Sequence, residues 1–258
     1  MIRTITGGLA VFAAVSMALA GCSGGGPETA GPKTTPTAEK QDAGKLLPQS
    51  LKKIESESFK FTSTMTVEGQ TIESSGAFDM AKKAGVVEVD MGKGTSLEMR
   101  IIGDDMYMTN LMDENKWMHL DLTKLPAGST FGEAANPVAN ADFLFGVSDD
   151  VKKVGDNRYE GTLDLQKYLD EHATPEEKKK LEKSLGDLGP EAKKVPFEAV
   201  VDSEGRLTEL KTTMTFEIKG EKTTMEQVTK FSDFGATVDV AKPPADKTEE
   251  APAELYNM

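Results

Sequence analysis

Few residues in this chain have side chains suited to chemistry. There is one cysteine, Cys22, and there are two histidines, His119 and His172. Aspartates pair at Asp104–Asp105 and at Asp149–Asp150. A cysteine nucleophile needs a neighbouring base, and neither histidine lies in a recognisable cysteine-enzyme motif. Paired carboxylates can do acid–base work, but both pairs stand beside turn residues, where aspartate is favoured for backbone reasons. The sequence has no glycine-rich phosphate loop and no histidine pair at metal spacing. The expectation is a protein that is not an enzyme and has no cofactor and no metal.

The chemistry left to Cys22 is covalent modification. Arg3 gives a positive start, and residues 7–20, "GGLAVFAAVSMALA", form an uncharged apolar run. About 20 apolar residues are needed to span a bilayer, so this run fits a secretory signal peptide over residues 1–21 better than a membrane span. The stretch "LAGC", residues 19–22, resembles the lipobox of bacterial lipoproteins. That resemblance implies a diacylglyceryl group on the Cys22 thiol and cleavage just before it. The competing readings are an uncut anchor and a plain secreted protein. One acyl chain binds a membrane only reversibly, whereas two on one cysteine hold. The chain is therefore expected outside the cytoplasm, anchored by acylated Cys22 to the outer side of the cell membrane. With a single cysteine, disulfides add nothing to the fold.

Residues 22–43 carry almost no large apolar side chain and read as a disordered tether. Coil scaling gives such a tether a reach of roughly 25 Å. Residues 44–245 are long enough for one domain with a sizeable core, and residues 246–258 read as a flexible tail. The formal net charge of -13 argues against nucleic acid, whose phosphates need a basic face. Its simplest meaning is solubility. A monomer is expected.

Within the domain the main signal is alternation with period two. Phe59, Phe61, Ser63, Met65 and Val67 share one face of a strand; Ile72, Ser74, Gly76, Phe78 and Met80 share one face of the next. Val87, Val89 and Met91 follow, then Leu97, Met99 and Ile101, then Met106 and Met108, then Met118, Leu120 and Leu122. Such segments are consecutive antiparallel strands with one apolar and one wet face. The stretch "KLLPQSLKKIESES" has Leu47, Leu51 and Ile54 spaced for one helix face. In the middle, Asp164 is placed to cap a short helix. "TPEE" marks a second, with Thr174 as N-cap and Pro175 at the first helical position, and Gly186 is expected to end it. "VPFEAVVDSEGRLTELKTTMTFEI" reads as a hairpin turning at 203–205, with a further strand over "TTMEQVTKFSDFG". The expected fold class is α+β: a single long curved antiparallel β-sheet, a half-barrel of roughly ten strands, with helices packed in its concave mouth.

In this order, "LKKIESESFKFT", "IIGDDMYM", Trp117 with "MHLDL", "YEGTLDLQKYLDE", "VDSEGRLTELKTTM" and "FSDFGATVDVAKPPAD" resemble the LppX/LprA/LprF/LprG group of extracytoplasmic lipoproteins, whose fold is like that of LolA and LolB. The likeness covers about residues 45–245. It implies an apolar cavity that holds an acylated lipid or glycolipid and moves it through the envelope. The candidate ligand contacts on the inner face are Phe61, Phe78, Met99, Met106, Met108, Leu120, Met214 and Phe216. The bland reading of the same residues is an ordinary packed core. The 13 methionines, adaptable to irregular partners, and the small residues Ser63, Ser74 and Gly76, which leave room, favour a cavity. Trp117 reads as a rim or surface-packing residue. Residues 164–189 read either as a static covering segment or as a movable cover. The alternative function is a tethered protein-interaction or sensor module with a filled core and no lipid ligand.

Overall fold

The computed structural model describes residues 36–92, 94–110, 113–126, 129–138, 141–218 and 220–257. The signal peptide, Cys22 and the first part of the expected tether lie outside the described residues. The first element, α1 (Pro36–Glu55), begins inside that expected tether rather than at its end. Residues 37–42, "TAEKQD", are mostly good helix formers, and Pro36 is well suited to a first helical position. Farther along, Leu47, Leu51 and Ile54 recur at spacings of four and three and are 0% exposed. Pro48 lies inside the helix without breaking it. The Ser50 hydroxyl donates to the Leu47 carbonyl, and Ser56 closes the last turn by donating to the Lys53 carbonyl.

Twelve strands follow among the described residues: β1 (Ser58–Val67), β2 (Gln70–Asp79), β3 (Ala84–Asp90), β4 (Ser96–Ile102), β5 (Asp105–Asn110), β6 (Asp113–Asp121), β7 (Lys152–Lys153), β8 (Arg158–Asp164), β9 (Lys194–Val201), β10 (Leu207–Ile218), β11 (Glu221–Ser232) and β12 (Thr248–Glu250). Three more helices lie between them: α2 (Thr130–Ala134), α3 (Leu165–Glu171) and α4 (Pro175–Asp187). All strands join one sheet in the order β12-β6-β5-β4-β3-β2-β1-β11-β10-β9-β8-β7. Every pairing is antiparallel except β12 with β6. The two edges do not meet, so the fold is an open, curved α+β half-barrel.

Register aligns the apolar faces read from sequence. Phe61 stands opposite Gly76, Gly76 opposite Val87, Val87 opposite Met99, Met99 opposite Met108, and Met108 opposite Met118. The next row runs Phe59, Phe78, Gly85, Ile101, Met106, Leu120. Gly76 does not leave room. A Cβ there would meet the Val86 carbonyl at 2.2 Å and the Phe61 ring at 2.8 Å. The Phe78 ring covers Gly85 in the same way, 2.7 Å from where a Cβ would stand. In both places an aromatic ring fills the gap that the glycine opens on the neighbouring strand.

The sheet holds more strands than expected because β7 and β12 are too short to alternate visibly. β12 also replaces the expected flexible tail. Glu249 pairs with Lys116 at 2.5 Å, and Glu250 accepts from His119 at 2.8 Å. The Asp121 amide donates to the Tyr256 hydroxyl at 3.1 Å. Two further boundaries move. Leu122 leaves the strand and opens a 3-10 turn, Leu122–Lys124, whose Thr123 amide donates to the Asp121 carboxylate. α4 passes through Gly186, which was expected to end it, to Asp187, and the positive φ, 87°, falls at Gly189 instead. Asp164 caps α3 as expected, accepting from the amides of Gln166 and Lys167.

Candidate functional site

The concave face is covered in two ways. α1 lies against the side formed by β1, β9, β10 and β7 and buries its three apolar anchors there. The rest is covered by a patchwork: residues 122–126 and 129–138, a 3-10 turn (Asp142–Gly146) that also packs against α1 and β8, α3 and α4. Between this patchwork and the sheet lies a cavity of about 820 Å³. Its floor is Phe61 and Ser63 of β1, Ser74 of β2, Val87 and Val89 of β3, Met99 of β4, Leu210 and Thr212 of β10, and Gln227, Thr229 and Phe231 of β11. Its roof includes Leu122, Leu125, Pro126, Ala141, Phe143, Tyr168, Leu169, Leu181 and Ser184. Short elements without a long apolar stripe cannot fill a curved face at interior density, and the leftover volume remains between them.

The lining is mainly apolar, and among the described lining residues Asp142 alone is charged at neutral pH. The polar groups on the floor hydrogen-bond among themselves. The Ser63 and Thr229 hydroxyls lie 3.0 Å apart, and Gln227 Nε2 donates to Ser63 Oγ at 3.3 Å.

Of the eight residues singled out from sequence, Phe61 and Met99 line the cavity. Phe78, Met106, Met108 and Leu120 are buried in the core rather than in the cavity wall. Phe78 is held over Gly85, and the other three belong to β5 and β6, outside the reach of the cavity. Met214 and Phe216 are half-buried and pack against that core. The β11 contribution went unread. Met225, Gln227, Thr229 and Phe231 do share one face, but the polar members hide the alternation. The roof gives no periodic signal.

The remaining candidates for chemistry have structural partners. Asp104 pairs with Lys83 at 2.9 Å. Asp105 accepts from His119 Nε2 at 2.7 Å, and Lys242 stands 3.4 Å from its other oxygen. Asp150 accepts from the amide and the hydroxyl of Thr162. His172 packs against Phe145 and Tyr168. Trp117 lies on the convex face with the Arg100 guanidinium 4.5 Å above its ring, consistent with a surface-packing role.

No family model matches the chain, and no curated protein matches it. Among solved structures it is similar to a LolA superfamily protein from Nitrosomonas europaea, at 10% identity over 84% of this chain and 97% of that one, with a TM-score of 0.31. It is also similar to the MucA/MucB complex of Pseudomonas aeruginosa, at 14% identity over 80% of this chain and 59% of that one, with a TM-score of 0.37. A third similar structure is a putative outer membrane lipoprotein-sorting protein domain from Vibrio parahaemolyticus, at 9% identity over 76% of this chain and 92% of that one, with a TM-score of 0.29. Scores this low carry no argument about what the chain binds, and the site is read from its own geometry.

Proposed function

We propose that this chain is an extracytoplasmic lipoprotein whose cavity takes an acylated lipid or glycolipid and carries or presents it in the cell envelope. One observation carries the reading: a cavity of about 820 Å³, mainly apolar, between the inner face of the sheet and its patchwork cover. That volume falls in the range of about 300–1,000 Å³ typical of small-molecule sites. Asp104, Asp105, Asp150 and His119 hold turns and strand edges through their partners, which fits a binding role for the cavity. Attachment to the membrane rests on "LAGC" and acylated Cys22.

Native mass spectrometry of the protein extracted from its own host's membranes is the test. The expected result is a second mass series, heavier by one acylated ligand, that collapses on collisional activation. Protein that arrives empty under conditions that preserve known lipid complexes would favour the tethered interaction module instead. Cys22→Ala is expected to move the protein out of the membrane fraction and to block lipoprotein-type processing. A variant that stays as tightly bound as the parent removes the anchor.

A further inference from the structure

The cavity floor is not uniformly apolar. Ser63, Ser74, Thr212, Gln227 and Thr229 form one polar island across four neighbouring strands, β2, β1, β11 and β10. Ser63 stands opposite both Ser74 and Thr229, and Gln227 opposite Thr212. Phe61, Phe231, Leu210 and Val89 surround it. Thr229 is only 8% exposed. A face that existed only to be packed would carry valine or leucine at these positions, because a polar group left without a partner in apolar surroundings costs free energy.

The internal bonds account for part of the island. Gln227 donates to Ser63, and Ser63 shares one hydrogen bond with Thr229. When Ser63 accepts from Gln227 and donates to Thr229, the Thr229 hydroxyl proton remains to be given away, and Gln227 Oε1 remains as an acceptor. Ser74 and Thr212 add two more hydroxyls that line the cavity. The set offers both donors and acceptors and no charge. No cation stands among the described lining residues. An ionised headgroup brought here would lose its hydration and gain no counter-charge.

We propose that this island is a specificity-determining subsite that takes an uncharged hydrogen-bonding group beside an acyl chain, an ester with its neighbouring hydroxyls, and refuses an ionised one. The proposal rests on the reading of the cavity as a lipid site. It places the polar junction of the ligand against the centre of the sheet, inside the cavity, with the hydrocarbon along Phe61, Val87, Met99 and Phe231.

The test is displacement of diphenylhexatriene from the full domain by monoolein, by octadecene and by oleate at a pH where it is ionised. The wild-type protein is expected to prefer monoolein over each of the others by about tenfold, the value of one or two hydrogen bonds. The double variant Ser74→Ala with Thr212→Val is expected to lose that preference over octadecene while binding octadecene as before. Gln227→Met serves as an independent variant with the same expected direction. Equal binding of monoolein and oleate by the wild type, or an unchanged monoolein preference in both variants, overturns the subsite but leaves the lipid site standing. Failure of every probe to bind the wild type overturns both.

Discussion

The two halves of the concave face share one sheet but not one kind of cover. Under α1, a single helix of 20 residues brings Leu47, Leu51 and Ile54 down onto the sheet, where all three are fully buried. Beside it, a 3-10 turn packed on α1 and two short helices leave Phe143, Tyr168 and Leu181 only half-buried around the hollow. The contrast shows that the hollow is a property of the cover, not of the sheet. One continuous stripe at helical spacing fills a groove, whereas several short stripes do not. Stability should therefore reside in the α1 half and function in the other.

The most direct way to break this comparison is a matched truncation in each half. Leu51→Ala, deep under α1, is expected to cost about 2–5 kcal/mol in urea unfolding, from lost burial plus a cavity that cannot collapse. Leu181→Ala, on the cavity roof, already borders empty space and is expected to cost about 1 kcal/mol or less. Equal costs would mean that both halves are packed alike. The boundary between the halves is sharpened by Gly76→Ala. The new Cβ meets the Val86 carbonyl at 2.2 Å, which a ring shift by Phe61 does not relieve. A loss of about 1–3 kcal/mol is expected by chemical denaturation, with weaker lipid uptake because Phe61 also forms the cavity floor.

The half that was legible in the sequence is the half that obeys a period. Alternation from Phe59 to Leu120 yields the strands and their inner face, and the 47, 51, 54 spacing yields α1. What the sequence concealed has physical causes. The pairing of β1 with β11 joins segments more than 150 residues apart, and no local pattern encodes it. β12 is held by cross-strand ion pairs rather than by apolar alternation, so its segment reads as tail. On the floor, Gln227 and Thr229 interrupt the stripe of β11, so the most informative wall of the site looked like the least regular strand. Gly76 was read as open space because the sequence does not show that Phe61 lies across it.

The cover supplies the next test. α4 is fixed at its C-terminal end, where the Glu217 amide donates to the Leu188 carbonyl at 3.0 Å and Lys222 pairs with Glu191 at 2.6 Å. Its N-terminal part is tied to α3 by the exposed pair Lys178–Asp170 at 2.5 Å, and exposed pairs contribute little. If residues 164–189 move as a cover, they swing about Gly189. A disulfide from the first half of α4 to the sheet rim, placed where Cβ atoms stand about 4 Å apart, should slow both uptake and release of a fluorescent lipid on the order of tenfold, with affinity nearly unchanged. The same bond placed between α1 and the sheet should leave both rates as they are. A locked α4 that exchanges lipid at the parent rate makes it a static wall.

The smallest effect is expected at a place that belongs to neither half, the latch that holds β12 on the β6 edge. His119 has a carboxylate at each ring nitrogen, Asp105 at Nε2 and Glu250 at Nδ1, and it stacks on Tyr107. Bridging two carboxylates needs both N–H groups, so the imidazolium is the form that fits. Burial is the largest single influence on this histidine and opposes its charge, but the hydrogen bonds with Glu250 and Asp105 together outweigh it and raise its pKa above the ordinary 6.5. Asp105 is moved the other way, below 3.8, first by its hydrogen bond with His119 and then by Lys242. A raised histidine gives its full stabilisation below 6.5 and loses it as pH rises through the folded value; a lowered aspartate loses its own as pH falls below 3.8. The latch is thus firmest between those two values. Because Glu250 is largely exposed, the loss on the alkaline side should be about 1 kcal/mol or less. Amide exchange at Thr248–Glu250 should report it as faster opening above neutrality, absent in His119→Gln. Lipid affinity should not follow, because none of these groups lines the cavity. A parallel change in affinity would show that the latch and the hollow are one device, and the separation of the stable half from the working half would fail.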